Sequence, residues 1–219
     1  ARMARQISDS ATDTGAGTGT LNGGGTGTTM TFTATPTFSS GTLNPGTGGT
    51  LTFTPAATFS GATVNSGSAT LDFNGAFTLS AGTFTLSSGS NTFAGNFTIS
   101  GTPTFTEGTN TVTFDGSAAT IDVNSTETFY NLTFNPSAGV TKTVANSDTL
   151  IVTNTLTLSE GLISQTTIPA GGTIAARGDI SQNSNFDGGT GKIVIDGTGN
   201  QTFTGGGSTS AGTLPDIDG

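Results

Sequence analysis

A chain that resembles itself roughly every 20–22 residues has to stack its repeats, because one repeat alone cannot bury an apolar face. Met30-Thr31-Phe32-Thr33 recurs one period later as Leu51-Thr52-Phe53-Thr54. Thr37-Phe38-Ser39 recurs as Thr58-Phe59-Ser60, and Thr42-Leu43-Asn44 as Thr63-Val64-Asn65, at the same offset. Leu71-Asp72-Phe73, Thr78-Leu79-Ser80 and Thr83-Phe84 form the next copy. Phe93, Thr98-Ile99-Ser100 and Thr104-Phe105 follow, and Thr20-Leu21-Asn22 precedes Thr42-Leu43-Asn44 by one more period. Three apolar columns result. The first is Phe32, Phe53, Phe73, Phe93 and Phe114. The second is Phe38, Phe59, Leu79 and Ile99. The third is Leu21, Leu43, Val64, Phe84 and Phe105.

Around each column position, apolar residues alternate with Thr, Ser or Asp, the period-2 pattern of a strand with one buried face. Thr suits a pleated strand, while the abundant Gly and Asn suit tight turns. Each segment resembles one three strands later, not its neighbour, so like strands pair with like. That excludes a hairpin meander and predicts an all-β, right-handed parallel β-solenoid with three short strands per coil. The expected organisation is an arm or cap over residues 1–17, regular solenoid over 18–115, a less regular continuation over 116–204, and a Gly/Ser-rich tail or linker over 205–219. A small separate β-domain after about residue 125 is the alternative. The N-terminal stretch is expected to form an arm or one short helix. Beyond residue 115 the period rests on an echo: Thr113-Phe114-Asp115-Gly116 returns as Val194-Ile195-Asp196-Gly197, read as about four coils further on.

Composition removes much chemistry. There is no Cys and no His, which excludes Ser-His-Asp and Cys-His nucleophile systems and most zinc sites. The net charge of -9, with Arg2, Arg5, Lys142, Arg177 and Lys192 scattered, does not suit nucleic acid. No apolar run reaches the length that a helical membrane span needs, so no such span is expected. Glycine runs such as Gly23-Gly24-Gly25 lack the strand-to-helix setting of a nucleotide loop. Carboxylate pairs drawn from Asp72, Asp115, Asp122 and Asp196 are the remaining catalytic candidates, but one Tyr (Tyr130) and no Trp leave sugars without platforms. The Asp/Asn-Gly pairs at 74–75, 115–116, 187–188 and 196–197 read as tight turns. Calcium, which needs six to eight oxygens in one place, stands as the alternative to an expected absence of cofactors. Outward Thr31/Thr33 and Thr52/Thr54 suggest an ice-binding row, but it breaks at Asp72/Asn74 and Ala94. Sequons place candidate glycosylation at Asn96, Asn124, Asn131 and Asn200.

Four segments carry a family resemblance: Thr113-Phe114-Asp115-Gly116, Ile195 to Thr202, Phe129-Tyr130-Asn131-Leu132-Thr133-Phe134, and Leu156-Thr157-Leu158-Ser159-Glu160-Gly161. In these the chain resembles microbial extracellular β-solenoid repeats of the adhesin and autotransporter-passenger kind. The resemblance implies an extracellular or cell-surface location and a scaffold or adhesive role. The expected function is therefore non-enzymatic: a building block or segment of a self-assembling fibre, sheath or surface layer. The expected partners are copies of itself, end to end or laterally. An adhesin binding a surface glycan or receptor is the alternative, followed by an ice-binding solenoid or a carbohydrate-active enzyme.

Overall fold

The computed structural model describes residues 4–7, 12–13, 19–23, 26–165, 171–205 and 216–218, the strands Ala4–Ile7, Thr12–Asp13 and Asp216–Asp218 by their backbone pairing. Every regular element among them is a strand, and every strand pairing is parallel. The chain is an all-β parallel solenoid of about nine turns with about three strands per coil. It divides into two compact units, Ala1–Asn110 and Thr111–Gly219.

In the first unit, one sheet stacks Ala4–Ile7, Thr29–Phe32, Thr50–Phe53, Thr70–Phe73 and Asn91–Phe93. Its register pairs Phe32 with Phe53, Phe53 with Phe73, and Phe73 with Phe93. A second sheet carries the other two strands of each coil. Thr37–Phe38 and Thr42–Asn44 both stack on the single long strand Ala57–Asn65. Phe77–Thr85 follows in the same way, and the short strands Phe97–Ile99 and Thr104–Thr106 stack on it in turn. Where the long strands turn from one face to the next the register slips, between Leu79 and Thr83. Gly82 sits in that slip with φ +86°, a backbone setting that glycine tolerates best.

One file of four phenylalanine rings and two shorter stacks fill this unit. Phe32, Phe53, Phe73 and Phe93 lie face over face at 4.9, 4.5 and 4.9 Å, within 12° of parallel. Phe38 and Phe59 stack at 5.1 Å, Phe77 and Phe97 at 5.0 Å. Across the core the long file meets both short stacks nearly edge-on, as in Phe32–Phe38 (87°), Phe53–Phe59 (86°) and Phe93–Phe97 (87°). Stacked contacts along the axis and edge-to-face contacts across it are the arrangements that the ring quadrupole favours. A coil rise of about 4.8 Å brings equivalent rings to stacking distance without adjustment.

In the second unit the step along the chain between paired strands is uneven. Thr173 pairs with Lys192, a short step, while Gly161 pairs with Phe186, a longer one. One sheet contains two rows. The first runs through Thr111–Gly116, Asn131 to Pro136, Thr155 to Leu158, Asp179–Gln182 and Phe203–Gly205. The second runs through Thr126 to Phe129, Thr149 to Val152, Thr173–Ala176, Lys192–Ile195 and Asp216–Asp218. The other sheet stacks Ala119–Asp122, Thr141–Val144, Gly161–Gln165 and Phe186–Gly189.

These rows correct the long-range echo. Phe114 belongs to the column Phe114, Phe134, Leu158, Gln182. Ile195 belongs to the other row, above Ala176, Val152 and Phe129. The two look-alike segments are not related by whole coils; each is the end of a strand carrying Asp-Gly, and they lie in different strand rows. The expected arm over 1–17 and tail over 205–219 lie in large part outside the described residues. The parts described are strands, Ala4–Ile7 on Thr29–Phe32, Thr12–Asp13 on Thr37–Phe38, and Asp216–Asp218 on Lys192 to Val194.

Candidate functional site

Strand alternation decides which side chains reach solvent. Of the residues in the three columns, Leu21 and Phe105 are half-buried, and all the others are buried. Register places them as Leu21, Leu43, Val64, Phe84, Phe105 and as Phe38, Phe59, Leu79, Ile99. In the second unit the Phe114 ring lies 5.7 Å from that of Phe134. Phe77 and Phe97 are core residues outside the columns read from the sequence; their register partner in the coil before is Ala57, which hides the periodicity.

The four candidate carboxylates are each tied into local structure. Asp72 accepts hydrogen bonds from Asn74 Nδ2 (3.1 Å) and Thr92 Oγ1 (3.3 Å). Asp196 pairs with Arg177 at 3.2 Å on an exposed surface. Asp115 interacts electrostatically with Lys142, and Asp122 with Asp148. Among the described residues no group of three acidic side chains lies close enough to hold a metal ion. Candidate glycosylation sites differ in access. Asn96, Asn124 and Asn200 are exposed, whereas Asn131 is half-buried in a strand and its Oδ1 accepts a 2.7 Å bond from Asn154 Nδ2.

Two buried charges escape a sequence reading. Lys142 is fully buried, in the pattern Thr-Lys-Thr-Val whose alternation puts it on the same inner face as Val144. Its Nζ donates to the Ser117 carbonyl oxygen at 2.7 Å, tying two coils together. Burial lowers its ammonium to about 8, against the pull of Asp115, which favours the charged form. Asp148 is nearly buried, and its Oδ2 accepts the Val123 N–H at 2.7 Å. Burial pushes the Asp148 carboxyl above the usual carboxylate range. The Val123 bond opposes that rise and the Asp122 charge adds to it.

One regular surface is the outward side of the third strand of each coil in the first unit. Register aligns Thr20, Thr42, Thr63, Thr83 and Thr104 in one file. Two positions on, Asn22, Asn44, Asn65, Thr85 and Thr106 form a second. None of the ten is buried. Asn44 Nδ2 donates to Asn22 Oδ1 at 3.1 Å, and Asn65 Nδ2 to Asn44 Oδ1 at 3.4 Å, a ladder of amides along the stack. The signal is present in the sequence as Thr-Leu-Asn, Thr-Leu-Asn, Thr-Val-Asn, Thr-Phe-Thr, Thr-Phe-Thr, where the inward residue of each triplet dominates the repeat. Between positions 19 and 106 there is one charged side chain, Asp72, which lies in a different strand row.

Fold and surface together define a parallel β-solenoid repeat protein. No protein-family model matches the chain, and neither a curated protein nor a solved structure matches it.

Proposed function

We propose that the chain is a non-enzymatic structural element of the cell exterior, a segment or subunit of a fibre, sheath or surface layer built by stacking coil on coil. The observation that carries this reading is the in-register repetition. In the first unit each coil offers its neighbour the same row of backbone donors and acceptors and, at the column positions, a ring or aliphatic group. A strand edge of that kind accepts a further parallel strand, and head-to-tail addition that does not close grows into an open filament. Phe203 supports the reading. It continues the column Leu132, Leu156, Ile180, and among the described residues it is the large apolar side chain left exposed, at 41%. A further coil seated there would cover it. The resemblance to adhesin and autotransporter-passenger repeats supports an extracellular setting.

Negative-stain microscopy of the purified chain, alone and over a range of concentrations, tests this. Regular filaments with a constant width are expected. Discrete single particles at every concentration would sink the reading and leave an adhesin, which needs a partner and not a polymer.

A further inference from the structure

We propose that the Thr/Asn double file on the third strand row of the first unit is an ice-binding face. The inference stands apart from the fibre reading, since it concerns a side of the stack and not its ends.

The ligand follows from what the face offers. Its period is two-dimensional: rungs about 4.8 Å apart along the stack, and side chains about 6.8 Å apart along each strand, over five rungs. A free sugar or peptide does not repeat in two directions; a crystal surface does. Charge narrows the crystal. The ten positions are Thr and Asn throughout, and Asp72 is the one charged residue between positions 19 and 106, so there is nothing to hold the ions of a salt or mineral. Crystalline polysaccharide is disfavoured by the lack of flat aromatic groups: the rings beneath the face, Phe84 and Phe105, point into the core from the other side of the strand. A lattice of water molecules is uncharged and periodic, and it is met by hydroxyls, amides and methyl groups. Threonine supplies a hydroxyl and a methyl on one rigid branched carbon.

Preorganisation supports the same assignment. The Asn22–Asn44–Asn65 ladder holds the lower amides in fixed orientation. Leu43, Val64 and Phe84 are buried on the inner side of the same strands, so the face is backed by packed core. A face already held in its binding geometry loses little freedom on contact. The row Thr31, Thr52, Asp72, Thr92 has a carboxylate in its file, so the first strand row lacks this property.

The test compares the full chain with two variants in an assay of ice recrystallisation, with circular dichroism as the check on folding. Thr63→Tyr puts a ring in the centre of the double file. Thr52→Tyr puts the same ring on the first strand row. The wild-type chain is expected to keep ice grains small at micromolar concentration. Thr63→Tyr is expected to need on the order of tenfold more protein for the same effect, the loss that about 1.4 kcal/mol of contact energy produces. Thr52→Tyr is expected to match wild type. Wild-type protein that performs no better than an unrelated acidic protein overturns the proposal. So does equal activity of folded Thr63→Tyr, or equal loss in both variants. Because none of these readings depends on filaments, failure here and failure of the fibre reading are separately visible.

Discussion

At the scale of single residues, the first unit gains most from its rings. Phe73 is fully buried, stacked between Phe53 and Phe93 and edge-on to Phe77. Phe73→Ala should lower unfolding free energy by about 3–5 kcal/mol, since it removes ring contacts above, below and beside it. Phe105→Ala should cost clearly less, because that ring is already half-exposed. Equal midpoint shifts in urea titrations of the two variants would contradict the stacking account. Lys142 predicts an unusual pH response. Its pKa falls from 10.5 in the unfolded chain to about 8 in the folded one, so between those values the unfolded state binds the proton and the folded state does not. Stability from this group therefore rises as pH rises from about 8 to about 10.5. Lys142→Met should remove that rise when the two proteins are unfolded in parallel across the window. The same slope in both would place the effect elsewhere.

At the scale of strands and turns, the first unit is legible in the sequence because its coils keep nearly constant length. Phe32, Phe53 and Phe73 are almost evenly spaced along the chain, so apolar columns survive a simple self-comparison. The second unit is not, because its turns absorb length unevenly. Leu158 lies further along the chain from Phe134 than Phe134 does from Phe114, although each pair is one coil apart. Under that drift the similar segments around Phe114 and Ile195 come from different rows, and a shared strand-end pattern passes for period. Lys142 is hidden for another reason: a strand pattern assigns Lys outward, and only the phase of its neighbours shows otherwise. The turns themselves make a testable contrast. Gly48 has φ +62° with open space where a Cβ would go, so Gly48→Ala should cost only the left-handed penalty, about 1 kcal/mol. At Gly82, φ is +86° and a Cβ would collide with the Ala62 carbonyl oxygen. Gly82→Ala must also displace the coil beneath, and should be several-fold more damaging in thermal melts. Comparable losses would mean that the bend at Gly82 is freely adjustable.

At the scale of the whole molecule, charge divides the chain unevenly. Acidic residues outnumber basic ones by ten to three in Thr111–Gly219 and by four to two in Ala1–Asn110. Self-repulsion of like charges opposes compaction and is screened by salt. Raising sodium chloride from about 10 mM to about 300 mM should increase amide-exchange protection of the Thr149–Leu158 strand more than that of Phe77–Thr85. An equal response in both would indicate that the acidic side chains are too far apart to matter. The equivalence of coils has a genetic consequence as well. Because Phe53 and Phe73 occupy the same register position, excision of positions 54–73 joins Phe53 to Asn74 with every downstream strand of that unit still facing a suitable partner. Excision of half a coil does not, since it sets first-row strands against second-row strands. The shortened chain should keep its strand spectrum and the out-of-phase one should lose it. Length in such a protein is therefore counted in whole coils, and unequal recombination between coding repeats can lengthen or shorten it without inventing a new core.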